Sequence, residues 1–194
     1  MFFIIDIENI KEARITLSLI FINLLCFTLF NLLLPIHYLL YLVQINYKIF
    51  EDLEIWRLFS SMFMHADIMH LFSNMIALLL FGTVIEISVS KKKYCIIYLI
   101  SGLIGSIASL FLLAPRTISL GASGAIFGLV GAVFAMVALE EDKTLLYLGL
   151  AYVGYFIFTS FAPGINYWAH LFGLASGFLF GYLFCRKKKD TSPY

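Results

Sequence analysis

A serine in the run Gly121-Ala122-Ser123-Gly124, a histidine at position 170, and a histidine–asparagine pair at 70 and 74 have types and spacing that allow chemistry. A serine hydroxyl is a weak nucleophile until a base takes its proton. An imidazole is the side chain best matched to that task near neutral pH. The tetrahedral intermediate that such a serine forms needs donors aimed at its developing oxyanion. His70 and Asn74 stand at i and i+4, hence on one face of a helix, and both can donate. The Ser123 N–H is a third donor, because first-turn N–H groups have no acceptor within their own helix, and the helix N-terminus adds partial positive charge. Together these groups could hydrolyse an acyl bond through a covalent intermediate.

Taken singly, each residue has a plainer reading. A serine among glycines in an apolar helix more often packs or bonds the backbone, and His70 and Asn74 would more often be interhelical hydrogen-bond partners. His170 is more suggestive, since ionisable groups in membrane spans are costly and tend to be functional. His65 reads as a supporting hydrogen bond below a loop, and Glu86 as an anchor for the inner end of its helix. Phe127, one turn after Ser123, is placed to pack on the His170 ring.

Composition says what must position them. Hydrophobic residues make up 62% of the 194 positions and charged residues 13%, against about 25% charged in a soluble domain. The expectation is an all-α, multi-pass membrane protein embedded in the lipid bilayer. A net charge of +1 offers no basic field for nucleic acid. Cys26, Cys95 and Cys185 lie inside apolar runs without metal-like spacing and read as core residues.

Six spans are expected, at about 15–34, 65–89, 94–114, 121–139, 145–162 and 167–185. At ~1.5 Å per residue, twenty residues cover the ~30 Å hydrocarbon core. Residues 1–14 form a short lead with mixed charges, and 186–194 a basic and polar tail. Residues 36–64 read as a structured loop lying partly in one leaflet, rich in the Tyr and Trp that favour the interface. Pro35, Pro115 and Pro163 close spans. Orientation follows from Lys and Arg in the short loops. With both termini in the cytoplasm, the inner side holds Lys11, Arg14, Lys91, Lys92, Lys93, Lys143, Arg186, Lys187, Lys188 and Lys189, and the outer side only Lys48, Arg57 and Arg116. Ser123, His70 and His170 then all lie toward the outer face.

Glycines suggest how two spans meet. Gly124, Gly128, Gly131 and Ala135 share one face of span four, and Gly173, Gly177 and Gly181 recur every four residues in span six. Small-residue faces let backbones approach closely. Packing span six on span four would bring His170, in the first turn of one, within reach of Ser123 at the top of the other.

With these pieces in order, the chain resembles the rhomboid intramembrane serine proteases. The resemblance rests on Trp56-Arg57, His65…His70-Leu71-Phe72-Ser73-Asn74, Glu86, Gly121-Ala122-Ser123-Gly124 and Ala169-His170-Leu171-Phe172-Gly173, and covers residues 13–185. It implies a Ser123–His170 dyad without a carboxylate third member. His70, Asn74 and the Ser123 amide would hold the oxyanion, with Gly121, Phe127, Gly173 and His65 in support. The Trp56-Arg57 loop would be a structural clamp, and the segment 159–168 a mobile cap. The implied substrates are single-span membrane proteins cut near the outer face. The implied setting is a prokaryotic plasma membrane, with the site opening outward.

Other chemistries fit poorly. No histidine is followed by glutamate, so the His-Glu-x-x-His pattern of a metalloprotease is missing. The carboxylates within the expected spans are Asp67 and Glu86, near opposite ends of one helix, whereas an aspartyl mechanism needs two sharing a site. No metal or other cofactor is expected. The competing reading is a non-catalytic relative that binds membrane clients.

Overall fold

A computed structural model describes residues 6–140, 143–162 and 164–185. Helix α1 (Ile7–Glu12) is capped by Asp6, whose carboxylate accepts the Asn9 N–H at 2.7 Å. Helix α2 (Arg14–Phe27) runs on through a π-helical stretch, Thr28–Leu33, and stops before Pro35. The long connection folds as α3 (Ile36–Leu42), strand β1 (Gln44–Ile45), α4 (Asn46–Glu51) and α5 (Arg57–Ser60). A continuous run follows: α6 (Ile68–Ala77), a π-helical stretch (Leu78–Gly82) and α7 (Thr83–Ser88). Then come α8 (Lys91–Leu112), strand β2 (Ile118–Ser119), α9 (Ser123–Ala138), α10 (Lys143–Thr159) and α11 (Tyr167–Cys185).

Among the described residues, four helical runs are long and apolar enough to cross a membrane: Arg14–Leu33, Ile68–Ser88, Lys91–Leu112 and Tyr167–Cys185. Ser123–Ala138 and the apolar part of α10, Leu146–Tyr155, are shorter. The 16 residues of α9 extend about 24 Å. Their near-complete burial marks α9 as the centre of the bundle.

Several expected boundaries shift, each for a local reason. The helix expected from about His65 begins at Ile68, because Asp67 caps it, accepting the His70 N–H at 2.8 Å. The helix expected from Gly121 begins at Ser123: Gly121 has φ +124°, outside helical geometry. Lys91, Lys92 and Lys93 form the first turn of α8 rather than the loop before it. The fifth helix runs from Lys143 to Thr159, not 145–162. The expectation of pure α is corrected by one antiparallel pair, in which Gln44 faces Ser119 and Ile45 faces Ile118. This pair joins the long connection to the segment just before Ser123. Residues 1–5, Pro163 and the tail 186–194 lie outside the described residues.

The glycine faces meet as their spacing predicts, with one redistribution. A Cβ added at Gly173 or Gly177 would fall on the carbonyl of Gly124 or Gly128, and one at Gly181 on the Ala132 backbone. So α11 lies against α9 at backbone contact. The side of Gly128 that lacks a Cβ faces Ser101 on α8, however, so α9 is sandwiched between α8 and α11. Gly105 of α8 completes the triangle against the Ala169 carbonyl, 2.7 Å from its would-be Cβ.

Two polar devices hold the periphery. Glu86 on α7 accepts the backbone N–H groups of Ile15 (2.9 Å) and Thr16 (2.8 Å) and the Thr16 hydroxyl (2.8 Å). The Thr16 hydroxyl also lies 2.8 Å from the Tyr94 hydroxyl on α8. Glu86 therefore anchors the start of α2 rather than only its own helix, capping orphan N–H groups where a carboxylate is favoured by the dipole. In the connection, buried Arg57 donates to the carbonyls of Leu40 and Val43, both at 2.7 Å, and pairs with Glu54. Trp56 lies against Tyr41, with ring centroids 5.1 Å apart, and its N–H donates to the Tyr41 carbonyl at 3.3 Å.

Candidate active site

Ser123 is the first residue of α9. Its N–H therefore precedes any carbonyl its own helix could offer. The chain reaches it through Gly121, whose N–H donates to the Ser61 carbonyl at 2.9 Å. A side chain at 121 would be strained by the φ of +124° and would also strike the His70 ring, 2.8 Å from the added Cβ. The same point lies 3.7 Å from the Ser123 hydroxyl. Gly121 is thus the floor on which His70 and Ser123 converge.

His170 reaches Ser123 from α11. Its Nε2 lies 2.8 Å from Ser123 Oγ. Phe127, one turn along α9, stacks on the imidazole, with centroids 4.1 Å apart and planes 9° from parallel. The other ring nitrogen, Nδ1, lies 2.8 Å from the hydroxyl of Ser160, the residue after α10. His170 is 9% exposed and Ser123 half-buried, so the pair is shielded but the hydroxyl can be approached.

The proposed oxyanion donors lie on α6. Asn74 is buried, and one of its amide hydrogens bonds the His70 carbonyl at 2.7 Å. That bond fixes the side chain and leaves its second hydrogen for an incoming group. His65 precedes the helix; its ring packs edge-on to His70 at 5.1 Å, and its carbonyl accepts from Asn31 at 2.9 Å. It meets His70 by ring contact. Gly173 sits one turn below His170, where α11 touches Gly124. Trp56 and Arg57 lie in the long connection and Glu86 at the α2 cap.

Beside Ser123 is a cavity of about 30 Å³, lined by Gln44, Ser61, Ser106, Ser109, Ser119 and Asn166 among others. A polar space of this size accommodates a water. Asn166 is braced by the hydroxyls of Ser109 (2.7 Å) and Ser119 (3.0 Å), while its oxygen accepts the Ala169 N–H at the start of α11. Ser160 and Asn166 fall in the segment expected to be a cap and Gln44 in the expected loop, but none of the three is an expected site residue. No motif spacing ties a serine at the end of α10 to His170. Gln44 and Asn46 of the connection are both buried, and no sequence pattern marks them as such.

Comparison with known proteins shows which family this chain resembles. The family model described as the Rhomboid domain matches residues 52–187. The chain is 35% identical over 143 residues to the Bacillus subtilis (strain 168) protein named "Putative rhomboid protease YdcA", covering 71% of this chain and 70% of that one. It is 36% identical over 136 residues to "RHOMBOID-like protein 1" of Arabidopsis thaliana, covering 68% of this chain and 35% of the relative. It is 30% identical over 135 residues to "Rhomboid-like protease 3" of Toxoplasma gondii, 66% of this chain and 51% of the relative. The match therefore spans most of the bacterial relative and a third to a half of the other two.

Proposed function

The chain belongs to the rhomboid family of integral membrane proteins, and on that premise we propose that it is a serine endopeptidase cutting membrane proteins in or near their transmembrane segments. The observation that carries this reading is the 2.8 Å separation of Ser123 Oγ and His170 Nε2 at the N-terminus of the buried helix α9. In the proposed arrangement, six spans within residues 15–185 cross the bilayer with both termini in the cytoplasm. The site opens to the outer side of a prokaryotic plasma membrane. Single-span proteins are the substrates, and no metal or other cofactor takes part.

The proposed steps are these. His170 Nε2 takes the Ser123 proton as Oγ attacks the scissile carbonyl carbon. The resulting oxyanion is held by the Ser123 N–H, His70 and the second amide hydrogen of Asn74. The intermediate collapses, Nε2 passes its proton to the leaving amine, and an acyl-serine remains. A water from the polar cavity beside Ser123 loses a proton to Nε2 and attacks the acyl carbon. Collapse releases the acid and restores the Ser123 hydroxyl with the proton held on Nε2.

A client-binding relative without chemistry would need neither the aligned ring nor the donors. The deciding experiment is labelling with a fluorophosphonate serine probe in detergent, beside cleavage of a generic single-span substrate. Wild type should label and cleave, whereas folded Ser123→Ala and His170→Ala should do neither. Wild type that neither labels nor cleaves would overturn the protease reading in favour of client binding.

A further inference from the structure

His170 has two ring nitrogens, and only one of them faces Ser123. The other, Nδ1, lies 2.8 Å from Ser160 Oγ. Ser160 is 4% exposed and follows directly on α10, so the imidazole is gripped from three helices: Ser123 from α9, the α11 backbone that carries it, and Ser160 from the end of α10. The surroundings on the Ser160 side are apolar. A cavity of about 20 Å³ there is lined by Phe127, Ile157, Phe161, Tyr167 and Leu171 besides the two polar partners. In such surroundings a ring N–H without an acceptor is costly.

The proton inventory decides what the serine must do. Nε2 can take the Ser123 proton only if it is bare, so the neutral ring must carry its hydrogen on Nδ1. Once Nε2 is protonated both nitrogens carry hydrogens, and Nδ1–H still needs an acceptor. A hydroxyl accepts in both states. On the protease reading above, we infer that Ser160 is a positioning residue for the reaction: its oxygen accepts Nδ1–H, fixes the tautomer with Nε2 bare, and keeps the imidazolium satisfied while the serine proton is in transit. The Nδ1 hydrogen never leaves the ring. The uncharged hydroxyl stands where a triad would place a carboxylate.

The test uses the full chain in detergent, labelled with ¹⁵N-histidine, as wild type, Ser160→Ala and Ser160→Thr; His170→Ala identifies the His170 signals. Expected are a wild-type His170 protonated at Nδ1 and bare at Nε2, loss of that single tautomer in Ser160→Ala, and its return in Ser160→Thr. Fluorophosphonate labelling should slow by ~10-fold or more in Ser160→Ala, part of what a general base contributes, and recover in Ser160→Thr. Melting temperatures identify any variant that fails to fold, and the wild-type tautomer then decides alone. A wild-type ring protonated at Nε2 would overturn the inference. So would a folded Ser160→Ala with unchanged tautomer or unchanged labelling, or a folded Ser160→Thr without rescue. If wild type does not label at all, the protease reading fails by itself, and the spectra still report whether Ser160 accepts from Nδ1.

Discussion

Gly173 on α11 and the carbonyl of Gly124 on α9 occupy adjoining space, such that a Cβ at 173 would overlap the carbonyl oxygen. The relationship is one-sided. A Cβ at Gly124 would meet Ala169 at 3.6 and 3.7 Å, ordinary van der Waals distances. Ser123 and His170 lie one residue before Gly124 and three before Gly173, so this contact sets the distance between them.

An asymmetric cost follows. Gly173→Ala should destabilise the protein by about 1–3 kcal/mol, the usual scale of overpacking, and slow serine labelling as the helices separate. Gly124→Ala should leave the melting temperature near wild type. Thermal unfolding of both variants in one detergent checks this, and equal losses would mean that the helices are not packed glycine to carbonyl.

Gly121 carries two constraints at once. Gly121→Ala places a non-glycine residue at φ +124°, a strain of about 1–3 kcal/mol, and drives a methyl into the His70 ring. Activity should fall more than stability, because the ring that moves is a proposed oxyanion donor. Comparing the drop in kcat with the change in melting temperature separates the two effects.

The contact of Ser123 with His170 was legible in the sequence because helical periodicity projects directly into space. Gly173, Gly177 and Gly181 at four-residue steps define a face, and that face fixes where His170 lands. The α2 cap was only half legible: Glu86 stood out as a carboxylate in a span, but its partners Ile15 and Thr16 are 71 and 70 residues away and carry no motif. The pairing of Gln44 with Ser119 and the contact of Ser160 with His170 were not legible at all. Both depend on where short irregular segments settle after the helices have packed, and hydrophobic period carries no information about that.

Asn74 should contribute to rate rather than to substrate binding. Asn74→Ala removes a donor used only when the oxyanion forms, so kcat should fall by about 10²–10³, or less where His70 and the Ser123 amide compensate. KM should change little. The lost bond to the His70 carbonyl costs some stability as well, about 1 kcal/mol on the usual scale. Steady-state cleavage of a single-span substrate gives the two constants. Full kcat would make Asn74 a packing residue whose one role is its bond to the His70 carbonyl within α6.

Glu86 gives the opposite pattern, stability without chemistry. Its two oxygens accept from Ile15 N, Thr16 N and Thr16 Oγ at the start of α2. Glu86→Gln keeps the shape but removes one acceptor and the charge that favours a helix N-terminus. The loss should be about 1–2 kcal/mol. Glu86→Ala should cost more, since it leaves the α2 N–H groups without their cap. Because the cap lies at the far end of α7 from the His70–Asn74 face, the folded fraction of either variant should label with fluorophosphonate at the wild-type rate. A variant that melts as wild type would show that α2 is held by its apolar contacts alone. One that stays folded but labels slowly would show that the start of α2 is coupled to the serine.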